Sequence, residues 1–386
     1  MSAPFELEPL EQACGVVLGA VPGPPVARAP RGVTARAALE AEILGHLAQS
    51  PCAVSFSGGR DSSAVLAVAA HVARREGLPL PVPITFRFPG LPEADESEWQ
   101  ESVLAHLGLT NWEHVDLTDE LDLLGDVAQQ CLLAHGITWP PNAYLHMPLF
   151  ALAQGGVILT GLDGDGLFGD WRWCHAQAVL HRMVPAHPRD VSRIGLAFAP
   201  AAVRARALGG RSIFAPSWLR QSAAEEFRAQ VVVRAAGEPR RWDRRTLWHE
   251  RSRALHVTMA SLHVLADSAG SAVAHPFLSP PVIGALAQEG GAAGFGSRTS
   301  AMHHLFGDLL PAAVIERQSK AVFGGAVWSE RARAFATSWS GSGVDPSLVD
   351  HDVLRMAWAE SRPVFHSWTL LQAAWLAAQP PSTPVN

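Results

Sequence analysis

One stretch constrains the fold more than any other: CAVSF, then SGGRDSS, then a long run rich in alanine and valine, over residues 52–77. The apolar run CAVSF (52–56) reads as a buried strand. Ser57-Gly58-Gly59-Arg60-Asp61-Ser62-Ser63 reads as the turn that follows it. Residues 62–76 read as a helix, because Arg74 and Arg75 supply a basic last turn and Gly77 a C-terminal stop. A strand, a tight glycine loop and a helix in that order open a crossover unit of an α/β protein.

The alternation continues. PVPITFRF (81–88), EHVDL (113–117) and GVILTG (156–161) read as further strands. Helices are expected over about 34–49, over 96–107, from a cap at Asp119 through about Ala134, and over about 143–154. Strands separated by helices predict an α/β fold with a doubly wound parallel sheet. Ligands bind such sheets beyond the carboxyl ends of the strands. From about 172 to 370 the pattern is mostly helical, broken by proline at 185–188 and 276–281, and no further strand is expected. The predicted organisation is an N-terminal arm over 1–34, containing VPGPPVARAPRG, an α/β core over 35–171, and a helical region over 172–386.

Composition narrows the class. Apolar residues at 48% and charged residues at 17% exclude a disordered chain. A net charge of −6 argues against nucleic acid as a partner for the whole surface. The four cysteines, Cys14, Cys52, Cys131 and Cys174, form no CxxC pair, so neither a disulfide scaffold nor a zinc ribbon is indicated. A reducing, cytoplasmic compartment is expected. Glu6, Glu8 and Glu11 precede the first basic residue, Arg28, which is the opposite of a secretory signal. No apolar run reaches the roughly 18 residues of a membrane span. Of the 30 basic residues one is lysine, Lys320. Where arginine has replaced lysine almost everywhere, the lysine that remains marks a place where arginine would not serve.

Two loops carry the chemistry. In the first, Gly58 and Gly59 let backbone N–H groups approach an anion, Ser57, Ser62 and Ser63 add hydroxyls, and a helix N-terminus follows. Asp61 beside a phosphate would repel it unless a cation bridges them, and Mg²⁺ accepts carboxylate and phosphate oxygens together. The string is not a P-loop, which needs a lysine here. The plain alternative is a capped strand-to-helix turn. The second loop, TGLDGDGLFG (160–169), also follows a strand, and one of its aspartates is placed to share a metal with Asp61. Its plain alternative is a glycine-rich turn whose aspartates accept local hydrogen bonds.

At these loops the chain resembles a known family. SGGRDSS is similar to the pyrophosphate loop of the ATP pyrophosphatases, and TGLDGDGLFG to the second loop of the asparagine synthetase branch, which includes β-lactam synthetase and the lasso-peptide cyclases. HPFLSPPVIGAL (275–286) is similar to that branch's PFLD segment, and LLPAAVIERQSKAVFGG (309–325) to its Arg-x-x-Lys loop. The resemblance covers roughly residues 35–330. It implies an adenine nucleotide α-hydrolase-like sheet that binds Mg-ATP, adenylates a carboxylate with release of pyrophosphate, and joins it to an amine. Ser55, Ser57, Gly58, Gly59, Asp61, Ser62, Ser63 and Gly161 are implied to line the nucleotide site, with Thr85 and Phe86 near the adenine. Asp61 and Asp165 match metal ligands, and Lys320 the catalytic lysine that stabilises charge on the transferring phosphorus.

The chain also departs from the family. Glutamine-dependent members begin with a glutaminase domain and a cysteine after the initiator; here Ser2 follows Met1 and fewer than 60 residues precede the first loop. The expectation is that the amine is ammonia, a separate glutaminase's product or a group on the substrate. Leu162 stands where the family often has a tyrosine or glutamate, Ala272 near its glutamate, and Ser279 at the PFLD aspartate. Asp163, or else His275, is then the candidate base. The expected partner is a small molecule or peptide with a carboxylate and an amine, in natural-product or peptide modification. The alternatives are an amidotransferase subunit fed by a separate glutaminase, and a non-catalytic nucleotide-binding scaffold.

Two further features stay open. RRWDRRTLWHERSR (240–253) reads as a solvated helix face or as a docking patch. Trp171 and Trp173, among 13 tryptophans, suit core packing or a pocket wall equally.

Overall fold

The computed structural model describes residues 6–49, 51–89, 91–117, 121–169, 171–210, 213–319 and 327–380. Five strands form one parallel sheet: β1 (Cys52–Ser55), β2 (Val82–Arg87), β3 (Glu113–Asp116), β4 (Val157–Leu159) and β5 (Ala272–Ala274). Their order is β3-β2-β1-β4-β5. The chain winds outward from β1 through β2 to β3, then returns to lay β4 on β1's other side. The winding direction therefore reverses between β1 and β4, and a crevice opens there beyond the carboxyl ends.

Both faces of the sheet are covered at its centre, along β1 and β4. Along β1, Cys52, Val54 and Phe56 join one apolar core while Ala53 joins the other. Along β4, Val157 and Leu159 face the first core and Ile158 the second. This is the two-residue period of a strand buried on both sides. The first core packs the helices Ala35–Leu47, Arg60–Glu76 and Pro280–Gly290; the second packs Asp126–His135, Arg253–Ser268 and Trp368–Ala377. Arg60–Glu76 is buried almost all round, so its alanines and valines are the small residues a central helix requires. Gly77 ends it in the left-handed conformation, with φ of 67°.

The structure corrects the sequence reading in three places. The helical second half contributes β5, which pairs with β4. The expected helix 143–154 is a one-turn 3₁₀ helix, Ala143–His146, followed by the α-helix Met147–Leu152. The helix expected from Asp119 begins at Asp126 with Gly125 as its cap; Asp119 lies outside the described residues. In the N-terminal stretch, Pro9–Cys14 is helical, and the Ala13 carbonyl accepts from Trp218 Nε1 at 2.9 Å. Among the described residues no helix is long and apolar enough to cross a membrane.

Candidate active site

The loop after β1 is held by its own hydroxyls. Ser57 and Ser62 Oγ lie 3.1 Å apart, Gly59 N–H donates to Ser57 Oγ, and Ser62 Oγ donates to the Gly59 carbonyl. Gly58 has a φ of 78°, and a Cβ there would stand 2.9 Å from Gln100 Cγ. Position 58 thus needs glycine for both its backbone angle and its space. From outside, Gln100 Nε2 donates to the Ser57 carbonyl and Arg317 Nη1 to the Gly58 carbonyl. Gly59 caps the helix Arg60–Glu76, so the first-turn N–H groups of a long helix open at the loop.

The loop after β4 is pressed against the first. A Cβ on Gly161 would lie 2.7 Å from the Asp61 carbonyl carbon and Ser62 nitrogen. A Cβ on Gly164 would lie 2.3 Å from the Asp61 carboxylate carbon. The two glycine-rich strings are therefore halves of one contact.

Charge converges at that contact. Arg298 bonds Asp61 Oδ2 at 2.7 Å and Asp165 Oδ1 at 2.5 Å. Burial pushes the Asp61 carboxyl up to about 6, Arg298 pulls it down, and the neighbouring Asp165 raises it. Asp61 Oδ1 is buried without a hydrogen-bond partner among the described residues. Two converging carboxylates with an unsatisfied buried oxygen form a donor set that suits a hard cation.

Beyond the strand ends opens a cavity of ≈ 330 Å³. Of the residues expected at the nucleotide, Ser55, Ser57, Gly59, Asp61, Ser62 and Gly161 line it. Ser63 is fully buried and is not in the lining. Thr85 is buried too, its hydroxyl donating to the Phe56 carbonyl at 2.5 Å. Phe86 lines a smaller cavity of ≈ 60 Å³ that shares Ser55, Ser57 and Glu96 with the larger one. Lys320 lies outside the described residues; Ser319, before it in sequence, is in the lining.

The two candidate bases are both engaged away from the cavity. Asp163 takes a left-handed conformation at φ 65° and turns its carboxylate to His249 Nε2, 2.7 Å away. His275 sits behind Thr160, with Nδ1 at 2.7 Å from its hydroxyl. Burial, with His263 and His146 nearby, pushes His275 down to about 3.

Sequence reasoning missed several residues that the fold brings in. Glu96, His146, Leu262 and Arg317 line the cavity. Glu96 and Arg317 form a buried bidentate pair, with the guanidinium 4.7 Å from the Trp99 ring centre. Arg317 is the arginine of the Arg-x-x-Lys string, which was a usable signal; Glu96 and His146 sit in no motif. The arginine-rich stretch folds as the helix Trp242–Glu250 and buttresses the second loop rather than forming only a solvated face. Trp242 is buried against Phe295, Arg245 donates to the Gly166 carbonyl at 2.5 Å, and His249 holds Asp163. Trp171 and Trp173 are buried and line a separate cavity of ≈ 510 Å³.

Compared with known proteins, residues 34–378 match the family model described as asparagine synthase. No curated protein matches the chain.

Proposed function

Because the chain belongs to the asparagine synthase family, whose general activity is ATP-dependent amide formation, we propose that it adenylates a carboxylate and passes the acyl group to an amine. The observation that carries this reading is the meeting of the two glycine-rich loops at the sheet's reversal point, with Asp61 at the contact. The first loop offers N–H groups and the hydroxyls of Ser57 and Ser62 to the phosphates. Asp61 and Asp165 would hold Mg²⁺, whose charge offsets that of the bound phosphates; the unpartnered Asp61 oxygen favours this assignment. On nucleotide binding Arg298 is then free to turn from the carboxylates toward phosphate oxygens, which suit its planar fork.

In the first step a carboxylate oxygen attacks the α-phosphorus and pyrophosphate leaves. Lys320 is assigned the stabilisation of the charge that builds there, by the likeness of its string to the family's. In the second step the amine displaces AMP. The substrate in this reading is a small molecule or peptide of natural-product type, and the four free cysteines suit work in a reducing cytoplasm.

Calorimetric titration of Mg-ATP into the wild type and into Asp61→Ala tests the reading without knowledge of the substrate. Saturable, magnesium-dependent binding that the substitution abolishes is expected. Equal binding by both proteins, or none by a folded wild type, would overturn it.

A further inference from the structure

Amide formation from an adenylate has a requirement that the phosphate loops do not meet. The attacking nitrogen gains positive charge as it bonds to carbon, and it must lose a proton before the adduct can collapse to an amide. A side chain that takes this proton must reach the reacting cavity, be unprotonated beforehand, and present a free lone pair there.

Few residues qualify. Among the described residues, the titratable side chains that line the cavity are Asp61, Glu96, His146 and Arg317. Asp61 is held by Arg298, and Glu96 is held in the bidentate pair with Arg317. An arginine does not give up its proton in a protein. Asp163 and His275, the bases expected from sequence, are absent from the lining and already bonded to His249 and Thr160. His146 is left.

The setting of His146 suits the task. Its Nδ1 lies 3.1 Å from the Ala143 carbonyl oxygen, which only accepts hydrogen bonds. Nδ1 therefore carries the ring proton, and Nε2 keeps its lone pair. The ring stacks on Phe150 at 5.9 Å between centres and 26° between planes, and Phe150 is fully buried. One hydrogen bond and one stacked face fix the imidazole. Leu162 and Leu262 line the cavity with it. Burial lowers the affinity of His146 for a proton, so the ring enters the reaction neutral. A base of lowered affinity suffices here, because the nitrogen of the adduct is itself made acidic by its positive charge.

We propose that His146 is the proton acceptor for the attacking amine. The amine nitrogen bonds to the adenylate's carbonyl carbon, and its extra proton passes to Nε2. The bond from that carbon to the phosphate oxygen then breaks, and AMP leaves with the electron pair. The imidazolium returns its proton to solvent. This assignment rests on the adenylation reading, and the two are separable by experiment because the proton is lost only in the second step.

ATP–pyrophosphate exchange over a panel of amino-acid and peptide carboxylates identifies a carboxylate that the wild type activates. With that carboxylate, exchange and amide formation are measured for wild type, His146→Gln and His146→Asn, using ammonia and then hydroxylamine as the nucleophile. Exchange by both variants is expected to stay within about twofold of wild type, while amide formation from ammonia falls by about 10²–10⁴-fold. Hydroxylamine is a much weaker base and makes a more acidic adduct, so its product should fall less than about tenfold. Undiminished amide formation from ammonia would overturn the proposal. So would exchange that falls as far as amide formation, since His146 would then serve the fold or the first step. Failure of the wild type to exchange with every carboxylate would overturn the adenylation reading and this inference with it.

Discussion

At the scale of single residues, the site is defined by atoms that are missing from side chains. Gly164 leaves the space in which the Asp61 carboxylate sits; a methyl group there would overlap carbon and oxygen atoms at 2.3 and 2.4 Å. Asp61 cannot retreat freely, because it stands in the first turn of a buried helix. Gly164→Ala should therefore displace the carboxylate and cost about 1–3 kcal/mol of stability through overpacking. Mg-ATP affinity, read by calorimetry, should fall by at least about tenfold, because the displaced carboxylate is the one assigned to the metal. Gly45 supplies the comparison. It lies inside the helix Ala35–Leu47, where an added methyl group would meet nothing within 4 Å. Gly45→Ala should raise stability by about 1 kcal/mol, as a helical alanine replaces a freer glycine, and leave nucleotide affinity alone. Equal effects at the two positions, by thermal unfolding and by calorimetry, would refute the steric account.

At the scale of elements, the segment after the helix Ala312–Glu316 is tied to the glycine-rich loop after β1 by Arg317. Its guanidinium bonds the Gly58 carbonyl, forks onto Glu96 and covers Trp99. Both ionic side chains are nearly buried, at 5% and 10% exposure, so removing one strands the other's charge. Arg317→Ala should cost about 3–5 kcal/mol, and Glu96→Leu combined with it should recover part of that loss. A double-mutant cycle by urea unfolding measures the coupling, and additive losses would show that the pair does not act as one. This clamp also shows what a sequence conceals. β1, β2 and β4 were legible because each is an apolar run with turn or helix signals around it; β3, with the sequence EHVD and mostly exposed, was legible from its place in the strand–helix alternation. β5 is the tripeptide Ala272-Val273-Ala274, too short for a period to register, and only its pairing with β4 makes it a strand. Both glycine-rich loops were legible because their glycines and aspartates are contiguous. Glu96 and His146 were not, because they enter the cavity through packing of elements far apart in the chain. The surroundings of Asp163 were hidden for a related reason: its partner, His249, is 86 residues away on a helix whose arginines suggested a solvated face.

At the scale of the whole molecule, the sheet's reversal places polar groups of distant segments in its interior, and His275 is the one with the clearest consequence for stability. It follows β5, its Nδ1 meets the hydroxyl of Thr160 at the end of β4, and its Nε2 is buried without a partner among the described residues. His263 faces it from the helix Arg253–Ser268 with ring centres 5.5 Å apart, and His146 adds a second imidazole from the Ala143–His146 turn. Burial and these two rings hold the folded-state pKa at about 3, against 6.5 ordinarily. Above pH 6.5 the ring is neutral in folded and unfolded chains alike and has no pH-dependent effect. Below it the unfolded chain takes up a proton that the folded one refuses, so stability falls with falling pH until the folded site also protonates near 3. Within that window the loss is about 1.4 kcal/mol per pH unit, or roughly 2 kcal/mol between about pH 7.5 and about pH 5. His275→Gln keeps a hydrogen-bonding side chain for Thr160 and removes the titration. Urea unfolding at the two pH values should show the wild type losing about 2 kcal/mol more than the variant. Equal losses would mean that the imidazole is hydrated or charged in the folded protein, and that the ends of β4 and β5 are open to water rather than sealed over the sheet.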